Sequence, residues 1–122
     1  MTGLHTDPKR FLGKVVKVKI DSPIGSKHED FDIWYPVNYG YIPNTVAPDG
    51  EELDAYVLGI LVPVKEFTGR CIALIHRAND NDDKLVVAPE NAELSDEEIR
   101  ALTRFKEKFF ESITVRKCTV KL

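Results

Sequence analysis

Between Gly13 and Ala88 the apolar residues fall into short runs separated by glycine, proline or clustered acids, with little room for a crossover helix. That spacing is the tightest constraint on the fold. Short strands in close succession favour a small antiparallel barrel over an α/β sheet. Gly13 to Ile20 sets Val16, Val18 and Ile20 against Lys17 and Lys19, the period of a strand with one wet face. Asp21 to Asp32 carries Pro23, Gly25 and Ser26 without any period and reads as a loop. Tyr35 to Ile42 contains Pro36, Asn38 and Gly40, which suits an irregular, partly extended segment better than a ladder strand. After a Pro48-Asp49-Gly50 turn, Leu53 to Leu61 reads as a strand with Asp54 at its entrance, on the face of Tyr56 and Leu58. Cys71 to Ile75 and Lys84 to Ala88 flank a polar stretch and predict a hairpin with an acidic tip. Ile113 to Leu122 predicts a last strand.

One helix is well signed. Ser95 with Glu98 forms a capping box, and Leu94 with Ile99 takes the two staple positions. Ile99, Leu102, Phe105 and Phe109 recur at helical spacing, predicting an aromatic stripe laid on the barrel. Asp96, Glu97 and Glu98 then complement the positive helix N-terminus and are structural. The resulting class is mainly β (α+β), a small barrel with a C-terminal amphipathic helix packed on it.

Composition narrows the function. At 122 residues, with 43% hydrophobic and 30% charged residues, the sequence suits one globular domain. A net charge of -3 argues against nucleic-acid backbones as partners. No stretch is long and apolar enough to predict a membrane span, and the polar start from Met1 to Arg10 does not read as a signal peptide. Cys71 and Cys118 lack metal-ligand or redox spacing, so a reducing, cytoplasmic location is expected and neither cysteine is given a chemical role.

The chemistry lies in two acidic loops. Asp49-Gly50-Glu51-Glu52-Leu53-Asp54 gathers carboxylates at a strand mouth, where burying their charges would be costly. Taken alone it is most simply a solvated turn. Asn79-Asp80-Asn81-Asp82-Asp83-Lys84 gathers a second set beside a lysine, and this run too is good turn chemistry. Together, however, two carboxylate loops and nearby lysines supply what is needed to hold divalent cations and the phosphates they bridge. On these physical grounds the two readings are even.

A resemblance tips the balance. Tyr35-Pro36-Val37-Asn38-Tyr39-Gly40-Tyr41-Ile42-Pro43 is very similar to the Y-P-x-N-Y-G-[YF]-I-P of the soluble family I inorganic pyrophosphatases. At the family distance, Asp49 to Asp54 resembles the D-G-D-P-x-D signature. Asp82-Asp83-Lys84-Leu85-Val86-Val87-Ala88-Pro89 is similar to the later D-x-K segment, and a helix ending Phe109-Phe110-Glu111 also fits. The chain is therefore identified as a short, divergent member. The resemblance implies that residues 1–122 form a single OB-like five-stranded β-barrel domain that hydrolyses pyrophosphate to two phosphates with Mg²⁺. It also implies a homo-oligomer. Carried over by position, Asp49, Glu51, Asp54, Asp80 and Asp82 are metal ligands. Glu51, which stands where the family has aspartate, helps take the proton from water, and Glu29 matches a carboxylate of the metal and water network. Lys27, Tyr39 and Lys84 match phosphate-binding positions, while Tyr35 occupies another site position and is expected to be a buried structural tyrosine.

The family pattern has gaps. A hairpin arginine that precedes Y-P-x-N-Y-G in the family has no counterpart, since only Phe31 to Trp34 separates Asp30 from Tyr35. The family's early strand carries a glutamate where this chain has Lys19 or a neighbour. After Phe109-Phe110-Glu111 the family's Tyr-Lys pair is replaced by Ser112-Ile113-Thr114. Arg77, and His28 beside Lys27, are the candidates to compensate. The competing readings are hydrolysis of another phosphoanhydride, such as a nucleotide, and a noncatalytic barrel that binds metal, phosphate or a protein partner.

Overall fold

The computed structural model describes residues 5–28, 30, 32–78 and 82–116. After a short 3-10 turn at Pro8–Phe11, the elements are β1 (Val15–Ser22), β2 (Asn38–Ile42), β3 (Leu53–Val57), β4 (Glu66–Arg77), β5 (Asp82–Ala88), α1 (Asp96–Glu107) and β6 (Ser112–Val115). The strands run in the order β1-β2-β3-β5-β4-β6, and a further β1–β4 pairing closes the first five into a barrel. β6 extends the far half of β4. Closure removes the open edges that a small sheet would otherwise present.

The barrel is mixed, a correction to the antiparallel expectation. β3 and β5 pair parallel, with Asp54 opposite Lys84 and Tyr56 opposite Val86. The excursion from β3 out to β4 and back through a hairpin returns β5 beside β3 in the same direction. Runs of apolar residues cannot announce such a pairing, because strand period is the same in either direction.

Two further expectations are corrected. The aromatic segment is not irregular: Asn38–Ile42 is a full ladder strand between β1 and β3. Its glycine is there because the backbones nearly touch, and a Cβ on Gly40 would sit 1.8 Å from the Lys19 carbonyl oxygen. Nor is Asp21 in a loop. β1 runs through Ser22, and its register slips between Ile20 and Ser22, a bulge of the kind that redirects a side chain.

Alternation divides the core in two. Val16, Val18, Leu53, Ala55, Val57, Leu74, Leu85 and Val87 fill one cluster, while Tyr39, Tyr56, Ala73, Ile75 and Val86, on the opposite face of their strands, form a second with Ile99 of the helix. α1 starts as expected, with both halves of the Ser95–Glu98 capping box made. Its packed stripe differs from the predicted one. Ile99, Thr103 and Glu107 are buried, whereas Leu102 and Phe109 are 38% and 56% exposed. Thr103 fits this apolar contact because its hydroxyl donates to the Ile99 carbonyl (2.8 Å), which satisfies it within the helix. Among the described residues no helix is long and apolar enough to cross a membrane. Cys118 lies outside the described residues, and burial pushes the Cys71 thiol up to about 12, in keeping with a small core residue.

Substituting Gly40→Ala should cost at least about 3 kcal/mol, since the obstructing atoms are backbone that cannot rotate away. Urea unfolding of the variant checks this, and an unchanged midpoint would mean that β1 and β2 are not so closely apposed.

Candidate active site

Because Lys84 and Asp54 face each other across the parallel pair, their side chains emerge together on the helix-covered face. Lys84 is 4% exposed, and its ammonium donates to Asp54 Oδ2 at 2.6 Å and to Asp82 Oδ2 at 2.8 Å. Asp82 precedes Lys84 by two residues on β5, so alternation puts both on one face. Asp54 remains partly open, and above it lies a cleft of about 720 Å³ lined among others by Asp21, Lys27, Tyr35, Glu51 and Asp54.

Charge in this cleft is unbalanced. The Asp21 carboxyl is held above its usual range, first by partial desolvation and then by the negative charge of Asp54. An acid whose ionisation is opposed by a neighbouring carboxylate favours a cation between the two. Behind them, Tyr39 is 5% exposed, and its buried hydroxyl lies near the Asp54 carboxylate without a hydrogen bond of normal geometry among the described residues. Burial and then the Asp54 charge push that phenol well above its ordinary pKa, so it stays a neutral donor.

The floor is anchored by one buried ion pair. Arg77 and Glu107 are 4% and 7% exposed. The guanidinium donates through Nε to Oε1 (3.0 Å) and through Nη2 to Oε2 (2.7 Å). Tyr56 and Ser112 hydroxyls add bonds of 2.6 Å to the two carboxylate oxygens, and Phe110 stacks on the guanidinium at 3.7 Å. Burial alone would raise the Glu107 pKa, but the bonds from Arg77, Ser112 and Tyr56 outweigh it and hold the carboxyl below its usual value. Such a pair survives burial because every lone pair is used.

The sequence-derived candidates separate into groups. Asp54, Asp82 and Lys84 form one bonded cluster, with Arg77 Nη1 a further 3.7 Å from Asp82. Glu51 and Lys27 line the cleft, and Lys27 pairs with Asp32 at 3.2 Å. Asp49 instead accepts from the Glu51 backbone (2.9 Å), the local bond of an Asx turn. Tyr39 and Tyr35 back the cluster, 5.7 Å apart ring to ring. Arg77 is committed to Glu107, and His28 stacks on Tyr35. His76 points away from Arg77 to meet Asp83 at 2.5 Å. Glu29 and Asp80 lie outside the described residues.

Three residues were not anticipated. Asp21 is the β1 carboxylate, delivered by the bulge. Glu107 and Lys106 come from the helix, where Ile99, Thr103, Lys106 and Glu107 follow the spacing of one packed face. Charged residues on that face were the available signal. Lys106 Nζ lies 3.8 Å from the Tyr39 ring centroid and 3.4 Å from the Tyr35 hydroxyl. Burial, then the charge of Lys84, brings its pKa down to about 8.

A barrel that presents carboxylates and lysines together on one covered face is a frame for cations and oxyanions. The sequence profile of the inorganic pyrophosphatase family matches residues 13–115. The inorganic pyrophosphatase of Synechocystis sp. is 32% identical over 109 residues, covering 73% of this chain and 63% of the relative. That of Saccharolobus solfataricus is 39% identical over 61 residues, covering 47% of this chain and 36% of the relative. The solved inorganic pyrophosphatase of Helicobacter pylori superposes with a TM-score of 0.63 over 96% of this chain and 91% of that one, at 17% identity. The Thermus thermophilus structure gives 0.58 over 93% and 86%, at 20% identity. The chain belongs to the inorganic pyrophosphatase family. Its match spans about a third of the length of several curated relatives, 36% for the Pseudomonas syringae protein.

Glu107→Ala should destabilise the fold by about 3–5 kcal/mol, because Arg77 would be left buried without its partner. Glu107 titrates lower folded than unfolded, so its contribution is complete above its ordinary value of 4.5 and is lost as pH falls through the depressed folded value. Urea unfolding of wild type and variant across acid pH checks both parts: the stability gap should narrow with acidification, and a gap that is small or independent of pH would contradict the assignment.

Proposed function

We propose that this chain hydrolyses inorganic pyrophosphate with the help of divalent cations, Mg²⁺ by choice of ligand chemistry, in the cleft above β3 and β5. The observation that carries the reading is the Lys84 ammonium shared between Asp54 and Asp82 at the cleft floor, in a chain of this family. A cation already bridges the two acids there.

The donor set fits a hard ion. Asp21, Glu51, Asp54 and Asp82 offer only oxygen, the preference of Mg²⁺, and the mutual repulsion of Asp21 and Asp54 is what a cation would relieve. No group of three or more acid, histidine or cysteine side chains stands ready to hold a metal among the described residues. Mg²⁺ commonly takes one or two carboxylates and completes its shell with water and substrate phosphate. When bound, such an ion lowers the pKa of water and neutralises phosphate charge.

The chain's own residues then divide the work. Asp54, Asp82, Glu51 and Asp21 hold the cations, with Asp49, Asp80 and Glu29 retained from the motif. Glu51, on the cleft wall, accepts the proton of the attacking water. Lys84, whose ammonium bridges Asp54 and Asp82, would bring positive charge to the phosphate, and Lys27 meets the substrate from the cleft wall. Tyr39 donates its buried hydroxyl. Arg77 acts from behind, holding Asp82 and Glu107 in place. The fold supplies position and electrostatics rather than a covalent step. A single domain, a cytoplasmic location and homo-oligomeric assembly complete the reading.

Phosphate release from pyrophosphate should require a divalent cation, stop on chelation and return with Mg²⁺. Asp54→Asn should lower kcat by about 10²–10³-fold while leaving the fold intact. Turnover that persists in chelator, or an unaffected Asp54→Asn variant, would remove this function from the cleft.

A further inference from the structure

The barrel is left open where β1 begins. The β1–β2 ladder starts only at Lys19, opposite Tyr41. Continued back along β1, its register would set Lys17 against Pro43, which has no N–H to give. The chain then turns away at Asn44, whose φ is 63°. On its other side β1 is paired throughout, from Val15 opposite Arg70 to Lys19 opposite Glu66. There the Cys71 N–H donates to the Lys14 carbonyl and the Ile20 N–H to the Lys65 carbonyl, both at 2.9 Å. The even-numbered residues of β1 therefore bond toward β4. Alternation turns the N–H and C=O of Val15 and Lys17 the opposite way, where no backbone bond meets them among the described residues.

Those groups face a groove of about 420 Å³ between the start of β1 and the turn after β2. Arg10, Lys14 and Lys17 line it together with Phe11 and the half-exposed Val15, and no acidic side chain does. The local sequence is equally one-sided. Pro8 to Ile20 holds five cationic side chains and no acidic one, in a chain of net charge -3. Arg10 and Lys14 make no ion pair among the described residues. Lys17 meets Glu66 at 3.2 Å with both side chains half in water, a pairing that contributes little. The groove is also remote from the cleft, because Val15 stands six residues before Asp21 on β1, about 20 Å along a strand.

We infer that this groove is a docking site for an acidic peptide segment of a partner protein, bound in extended form as an added strand on the open stretch of β1. The added strand bonds the main-chain groups of Val15 and Lys17, and its alternate side chains meet theirs. Opposite Lys17, with Lys14 and Arg10 at the rim, the chemistry selects Asp or Glu. Opposite Val15, two residues along, it selects a β-branched residue, so both fall on one face of the bound strand. Main-chain bonds supply affinity, and the cations select an acidic partner. A nucleic-acid backbone needs a longer basic track than three rim cations on an acidic protein. The inference is independent of the pyrophosphatase reading.

Fluorescence titration of the whole protein with a labelled peptide repeating Glu-Thr-Val-Thr, which sets Glu and Val two residues apart, tests the inference. The peptide should bind saturably, more weakly as salt rises, and its analogue with Lys for Glu should not bind. N-methylating one alternate set of its amides should weaken binding about tenfold or more, and the other set little. Arg10→Glu combined with Lys14→Glu should also weaken binding about tenfold or more, while pyrophosphate turnover and melting temperature stay as in wild type. Amide hydrogen exchange reads the edge itself. In the free protein Val15 and Lys17 should exchange much faster than Val16 and Val18, and bound peptide should slow Val15 and Lys17. Equal protection of all four in the free protein would overturn the open edge. No saturable binding of the parent peptide, or binding indifferent to N-methylation or to the charge-reversed variant, would overturn the docking site. Tighter binding of a labelled oligonucleotide or of anionic vesicles than of the peptide would overturn the choice of partner.

Discussion

The in-register parallel pairing of β3 with β5 is the constraint on which the site depends. It puts Asp54 and Lys84 at the same level of adjacent strands, so that a carboxylate from one acidic segment and a lysine from the other meet at 2.6 Å. Shifting that register by one residue would send one of the two side chains into the barrel, where Leu85 and Ala55 now pack. The same pairing joins β1, β2 and β3 to the β4–β5 hairpin within the barrel that β1 and β4 close. Site geometry and core packing therefore cannot be separated: the residues that hold the register, Leu53, Ala55, Val57, Leu85 and Val87, are all essentially inaccessible to water.

A second constraint orients the helix. An amphipathic helix packed only by Ile99 and Phe105 could rotate about its axis at small cost. The four-bonded Glu107 carboxylate removes that freedom, because turning it away would strand Arg77 in a nearly water-free position. Specificity of orientation is what the buried pair contributes, and Lys106 is oriented as a result. Arg77 thus serves the cleft through its neighbours: Glu107 on one side and Asp82, 3.7 Å away, on the other.

How far this could be read from sequence depended on whether the information was local. The β4–β5 hairpin, the capped helix and the strand leading out of the acidic turn are local patterns, and each was legible. Asn38–Ile42 was hidden because Pro36 and Gly40 argue against a strand until the Lys19 carbonyl is seen pressing on Gly40. The parallel pairing was hidden because alternation carries no direction. Within the site, the motif residues Asp54, Asp82 and Lys84 were found and do meet, since their spacing falls on a strand period. Asp21 was missed because a bulge shifts the face on which an acid appears. Lys106 and Glu107 were not legible because apolar periodicity does not reveal charged residues on a packed helix face.

The central claim is that the acids and lysines over β3 and β5 form one metal and phosphate site. Anomalous diffraction from crystals grown with Mn²⁺ and imidodiphosphate addresses it directly. The account predicts a metal peak between Asp54 and Asp82, with the Lys84 ammonium moved from those carboxylates onto the phosphate. A metal bound elsewhere, with Lys84 still bridging Asp54 and Asp82, would contradict it.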